Sequence, residues 1–492
     1  MVGAPLNPAT PADPCRQQTP CYILNLPPGD SSVPFSLPRR LLLVPGCLAL
    51  LFAPALAFAA EVQFEGYYRA RMRAYDTLSL NRELATNEDL SLYVQHRLWL
   101  KPKFIVNDKV ALYTEFRGLD GVVWGDRAAA ETDVVTGDQV PVEFTDSLEA
   151  PSSSTEARSP LLDFTLSRAW AEIDTRYGQF AFGRMPLHWG AGIWQNDGLS
   201  WNGDYGDSAD RIRWNNQFDV VFVELAVDAN VEGLINAEDD TTSFNASAAY
   251  KSETLTFGVN GQLRRTPNRK LNLGTVDAAF DAEIGPLDLT AEVTGQFGNG
   301  VLEEGGASNS ILAVGAVLDA GLTTRVINVG LEAGLATGDG DDTDDRIRTF
   351  SFDRDYNVGL ILFEQPMPTL AAAVANENNG GRSTEVALSG SSLSNALFIR
   401  PRISRTIIEG LDVEASVLAA RVAKMPERFQ ARRSYGVEFN AKVQYRPFEH
   451  VELAGTFGVM VPGSYYSEYS DDTYSGFNDT VFAGQIMGQV SF

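Results

Sequence analysis

The sequence predicts an all-β protein: a transmembrane antiparallel β-barrel of about eighteen strands (16–18), with short periplasmic turns and long extracellular loops. Three observations predict it. The chain ends in a strand whose alternate residues, Phe482, Gly484, Ile486, Gly488, Val490 and Phe492, make one apolar face against a mostly polar one. The body breaks into alternating segments of roughly ten to fifteen residues, joined in turn by short and long connections. No stretch of that body reaches the eighteen or so apolar residues a membrane helix needs, and mean hydropathy is only −0.12. In a soluble sheet the final strand would be a bare pairing edge. Closing a barrel removes that edge and gives the two faces lipid and water.

The N-terminal region reads as targeting sequence. Arg39-Arg40 precede an apolar run from Leu41 to Leu56, followed by Ala57-Phe58-Ala59-Ala60. That is a signal peptide over 39–60 with cleavage beside Ala60 and Glu61. Pro45 and Pro54 interrupt the run and argue against a membrane anchor. Residues 1–38 are a Pro-rich leader, read as an early start of the gene. Cys47 sits inside the apolar run in a poor acylation context. Cys15, Cys21 and Cys47 all precede the cleavage point, so the barrel, 61–492, has no disulfide framework or thiolate metal site. The formal net charge is −25, and such an acidic chain makes a poor nucleic-acid partner.

Short turns are expected at 106–109, 175–178, 216–219, 251–254, 285–286, 320–323, 409–410 and 446–449. Longer connections are expected near 76–89, 118–159, 190–208, 229–241, 265–272, 299–308, 338–394, 425–432 and 462–479, those at 118–159, 190–208 and 338–394 being the main extracellular loops. In the segment 434–446, Tyr435, Val437, Phe439, Ala441, Val443 and Tyr445 share an apolar face. Its two tyrosines would stand about 25 Å apart along the membrane normal, the height of a lipid-facing band between aromatic girdles.

The inward face carries the candidate site. In the first strand Gln63, Glu65, Tyr67, Arg69, Arg71 and Arg73 face the lumen, and in the second Tyr93, Gln95, Arg97, Trp99 and Lys101. Arg69 is expected beside Gln95 or Arg97, and Arg97 beside Glu115. Arg400 and Arg402 add to the basic set, whereas Glu65, Glu115, Glu292, Glu332 and Glu438 form the acidic one. A basic lining selects anions. The other reading, which the abundance of lumen carboxylates favours, is that these arginines pair with them and stiffen the wall.

Two loops are candidates to narrow the bore: the Gly-, Asn- and Trp-rich 190–210, and residues 353–365. The acidic run 339–345 has enough oxygen ligands to hold Ca²⁺, although its spacing is not that of an EF-hand. No other cofactor or metal is expected. Of His96, His188 and His450, only His188 stands near a rim as a hydrolase would require, and no nucleophile motif accompanies it, so no enzyme is expected.

The residues Gln95-His96-Arg97-Leu98-Trp99-Leu100-Lys101, Val106-Asn107-Asp108-Lys109-Val110, Glu115-Phe116-Arg117, Arg168-Ala169-Trp170-Ala171-Glu172, Phe182-Gly183-Arg184 and the segment from Gly338-Asp339 to Thr349-Phe350 resemble the porin-like barrels that include the alginate-export proteins. The resemblance implies an eighteen-stranded outer-membrane channel with an Arg-rich constriction that passes an anionic polysaccharide. The ending in Val490 and Phe492 resembles the C-terminal assembly signal of outer-membrane barrels, which implies the barrel-assembly machinery as a partner beside the lipid bilayer. The expected function is passive passage of small hydrophilic solutes or an anionic polysaccharide. The alternative is a loop-plugged barrel acting as receptor, adhesin or envelope scaffold.

Overall fold

The computed structural model describes residues 61–78, 80, 90–119, 164–231, 240–301, 306–341, 344–365, 367, 392–425, 433–466 and 478–492. The leader and signal peptide, most of the connection 118–159, and Asp342 and Thr343 of the acidic run lie outside these residues.

The strands are β1 (Glu61–Asp76), β2 (Leu90–Asn107), β3 (Val110–Gly118), β4 (Phe164–Thr175), β5 (Gly178–Pro186), β6 (Ser208–Phe218), β7 (Val221–Val231), β8 (Thr241–Lys251), β9 (Leu255–Thr266) and β10 (Leu271–Ile284). They continue as β11 (Leu287–Val301), β12 (Ser308–Thr323), β13 (Asn328–Ala336), β14 (Arg346–Ile347), β15 (Ala396–Ile408), β16 (Leu411–Val422), β17 (Ser434–Phe448), β18 (Val451–Pro462) and β19 (Val481–Ser491). The two-residue β14 adds to β12 in parallel. The other eighteen form a closed antiparallel ring, each paired with its neighbours in sequence. Closure is made by β1 on β19, where Tyr68, Ala70 and Met72 oppose Val490, Gly488 and Ile486. The last residue completes the seam: Gly66 and Phe492 exchange backbone hydrogen bonds of 2.9 and 3.0 Å, and Phe492 stacks on Phe64.

Alternation sorts the side chains as the pleat demands. Phe64, Leu92, Ile212, Leu312, Phe439 and Ile486 point outward and are exposed, so the outer wall is an apolar belt. The tightly packed apolar core lies inside the ring. Phe350, Phe352, Val358, Leu360, Ile361 and Leu362 fold into the bore and pack on Val317, Phe398, Leu418, Ala420, Met460 and Ala483.

Three expectations are corrected. Tyr435 is not an outer girdle residue; it is buried and meets Tyr465 at 4.6 Å and Phe363 at 5.4 Å between ring centroids. A bulge causes this, since Ala420 pairs with Gly436 but Arg421 pairs with Ser434. One extra residue reverses the parity of everything beyond it. The turn expected at 320–323 lies at 324–327, because the Thr324 hydroxyl accepts from the backbone of Val326 and Ile327 while Thr323 stays paired with Asn328. The turn expected at 446–449 begins only after Phe448.

Gly436 has a φ of +119°, and a Cβ there would strike the Val461 carbonyl. Gly436→Ala should therefore lower barrel stability by about 1–3 kcal/mol. Gly455→Ala, where a Cβ meets nothing within 4 Å, should stay within about 0.5 kcal/mol of the parent. Urea unfolding in detergent micelles reads both.

Candidate functional site

Two connections enter the bore. The first, 187–207, is zipped at its ends: Leu187 donates to the Asp207 carbonyl at 3.1 Å, Asp207 to Asn196 at 2.6 Å and Trp189 to Gln195 at 3.1 Å. Asn196 and Asp197 close local turns by accepting from Gly198 and Leu199. Gly206 has a φ of +76°, and a Cβ there would meet the Asp197 carbonyl at 2.5 Å and Arg168 Nη2 at 2.9 Å. The connection can lie this close to the wall only with glycine there.

This insert spans the bore between two anchors. On one wall, Trp189 Nε1 donates to Asp277 of β10 at 2.6 Å, and Gly192 N donates to Glu292 of β11 at 2.9 Å. On the other wall the arginine ladder converges on Asp204. Arg69, Arg71 and Arg73 of β1 reach its carboxylate at 2.7, 2.5 and 2.9 Å, and Arg97 of β2 lies at 3.8 Å. Two of the arginines also bond carbonyls of the same insert: Arg69 bonds Trp201 and Gly203, and Arg97 bonds Gly203 and Asp204. Burial alone would raise the Asp204 pKa, but the charges of Arg71, Arg73, Arg69 and Arg97 hold the carboxyl well below the usual range.

The second insert, 350–365, is held by wall carboxylates. Glu438 of β17 accepts from Leu360, Ile361 and Leu362 at 2.7, 3.2 and 2.7 Å. Glu332 of β13 accepts from the Tyr356 hydroxyl at 2.8 Å and pairs with Arg400, which also donates to the Val358 carbonyl. The inserts then join each other. Asp355 accepts from the backbone of Asp204, Tyr205 and Gly206 at distances down to 2.6 Å, and Asp353 N donates to the Ile193 carbonyl at 2.8 Å. The side chains of Asp207 and Asp353 are hydrogen-bonded to each other. Burial and the Asp207 charge push the Asp353 carboxyl up to about 9, so the pair holds a proton.

The structure thus assigns the predicted residues as follows. Arg69, Arg71, Arg73 and Arg97 face inward, but they lie beneath an insert and do not form an open basic track. Arg69 does stand opposite Arg97 in the ladder. Arg97 does not reach Glu115, which pairs instead with Arg168 at 3.0 Å, because the register of β3 and β4 sets those two side by side. Lys101 stacks over Trp99 at 4.3 Å and stands opposite Glu65. Arg402 pairs with Asp319 at 2.7 Å. In the acidic run, Asp339 and Asp344 are engaged by Arg348 at 3.0 and 2.7 Å. His188 faces Asp197 at 3.5 Å.

Among the described residues, apolar packing lies on the β12–β19 side of the bore, and the β5–β9 wall opposite is polar. A polar recess of about 310 Å³ extends from Asp174 and Gln179 near the short turns to His188, Trp189 and Gln195 of the first insert. Its wall is Arg211, Arg213 and Asn215 of β6, Glu224 of β7, Ser247 of β8 and Asn260 of β9. Sequence reasoning missed these residues, although the alternation in β6 could have flagged Arg211 and Arg213. Both arginines are paired: Arg211 with Asp228 at 2.6 Å and Glu224 at 3.2 Å, Arg213 with Glu172 at 3.1 Å.

No family model matches the chain, and no curated protein matches it. The resemblance to alginate-export proteins therefore rests on its short motifs alone, and membership of that family is not shown. Solved barrels do match. OpdQ of Pseudomonas aeruginosa superposes with a TM-score of 0.50 at 8% identity, over 88% of this chain and 97% of that one. OccK9 (OpdG) of the same organism gives 0.49 at 11%, over 88% and 99%. OmpT, an outer membrane protein of Vibrio cholerae, gives 0.39 at 11%, over 89% and 99%. At such identities the likeness concerns the fold alone. The exclusion of an enzyme drawn from the sequence is corrected here. The matching barrels include OmpT beside the Pseudomonas proteins, and a shared fold does not exclude activity. The geometry supplies no positive evidence for one. A closed ring with an apolar outer belt has its stable place in a bilayer: the chain is a transmembrane β-barrel of the bacterial outer membrane.

Two predictions follow from the insert anchors. Asp204→Ala leaves four arginines around an uncompensated site and should destabilise the insert by about 3–5 kcal/mol. Thermal unfolding and an enlarged, noisier single-channel conductance would both report it. The Asp207–Asp353 joint has its full strength below about pH 4 and loses it as pH rises toward about 9, since its folded-state pKa lies above the unfolded one. Conductance of the parent should thus rise between about pH 7 and pH 10, whereas Asp353→Asn, which needs no proton, should stay flat.

Proposed function

We propose that the barrel is a narrow passive channel for small hydrophilic solutes. The observation that supports this is the polar recess between the first insert and β5–β9, across the bore from the apolar packing. An anionic polysaccharide is a poorer fit. The ladder that would draw it inward is buried beneath the first insert, bonded to Asp204 and insert carbonyls, and two anchored inserts cross the bore. Arg211 and Arg213 at the recess are held by Glu224, Asp228 and Glu172, and Asp174 also lines it, so this cluster carries more carboxylates than cations. A wall with excess carboxylate favours cations.

In this reading the short turns face the periplasm and the long connections the exterior, as in single-chain barrels of this type. Val490 and Phe492 at the seam are the segment that the barrel-assembly machinery would engage. The second reading, a closed receptor or scaffold, draws on the packing of 350–365 into the bore.

Planar-bilayer recording under a KCl gradient separates the two. A small, steady conductance with a reversal potential of cation preference is expected. Anion preference would return the arginine ladder to the pore. No conductance from a folded barrel would favour the closed reading.

A further inference from the structure

One part of the recess wall is under-bonded: two neutral side chains stand there between carboxylates, Glu224 opposite Ser247 and Asp277 opposite Asn260. Asn260 of β9 is 8% exposed, and its Oδ1 is buried with no hydrogen-bond partner among the described residues. Ser247 of β8, 9% exposed, stands directly opposite Asn260 in the ladder. A buried amide oxygen left without a partner is costly and marks a place where a ligand can supply one. The charged groups nearby have no such need, because Arg211 already holds Asp228 and Glu224. Gln179 is likewise used, accepting from Arg213 at 3.3 Å and Asn215 at 3.2 Å. Phe222, 5% exposed, and Trp189 add apolar ring surface to the same recess.

We infer that the recess is a binding site for a neutral polyhydroxylated solute of about monosaccharide size, with Asn260 and Ser247 as its hydrogen-bonding floor. Hydroxyls both donate and accept, so one such solute satisfies an amide oxygen, an amide N–H and a serine together. A carboxylate cannot donate to Asn260 Oδ1, and it would lie beside Glu224 and Asp277, while Arg211 and Arg213 are already held by other carboxylates. The volume of about 310 Å³ lies at the lower end of the range for small-molecule sites. This inference rests on the channel reading and names the solute class of that channel.

The test uses the protein in proteoliposomes and planar bilayers, with glucose and gluconate as probes of similar size. Swelling in glucose should exceed swelling in gluconate by about fivefold or more, and glucose should interrupt the KCl current in discrete blocks. The combined variant Ser247→Ala with Asn260→Leu, its closed barrel checked by heat-modifiable electrophoretic mobility, should lower glucose swelling about five- to tenfold more than it lowers KCl conductance. Gluconate passing as fast as glucose, or equal loss of both readouts in the variant, would overturn the inference while leaving a channel. Absence of any KCl conductance would instead defeat the channel reading.

Discussion

One buried carboxylate among four guanidiniums governs the inside of this barrel. Asp204 meets Arg69, Arg71, Arg73 and Arg97, and the insert that carries it adds carbonyls at Trp201, Gly203 and Asp204 itself. Charges withdrawn from water are tolerable only when their donors and acceptors are met. The insert that lies down on the strand arginines supplies most of these acceptors. Its peptide N–H groups at 204–206 then receive Asp355 of the second insert. The wall thus fixes the first insert, and the first insert fixes the second.

Carboxylates of the wall do the complementary work. Glu292 and Glu438 accept backbone N–H groups from the inserts, and Glu332 accepts the Tyr356 hydroxyl. These groups satisfy connections that leave the sheet and would otherwise bury bare peptides. The result is an uneven bore. The side formed by Val317, Phe398, Leu418 and Met460 is sealed by apolar packing. The side formed by Ser247, Asn260 and Gln262 stays polar.

The two junctions respond oppositely to protons. Acid weakens the Asp204 anchor, whose carboxyl is held low by its arginines, and alkali weakens the Asp207–Asp353 joint, whose carboxyl is held high by burial and its neighbour. The assembly is therefore tightest between these limits, where the first carboxyl is charged and the second is not.

Period-two alternation, turn chemistry and the C-terminal strand by themselves determined the barrel and a count of about eighteen strands, because a lipid-facing wall admits one side-chain parity. They could not place Tyr435, since a bulge at Gly436 reverses the parity and leaves no mark in the pattern. The inward charges Arg69, Arg71, Arg97, Glu292, Glu332 and Glu438 were legible as residues but not as anchors. Their partners are insert peptides and Asp204, more than 90 residues away in most cases, as with Arg69 and Asp204 at a separation of 135. The recess was invisible for the same reason. Asn260 becomes an unmet acceptor only when the tertiary structure closes the wall around it and sends the inserts elsewhere. Sequence decided the container; long-range hydrogen bonding between wall and inserts decided what remains open inside it.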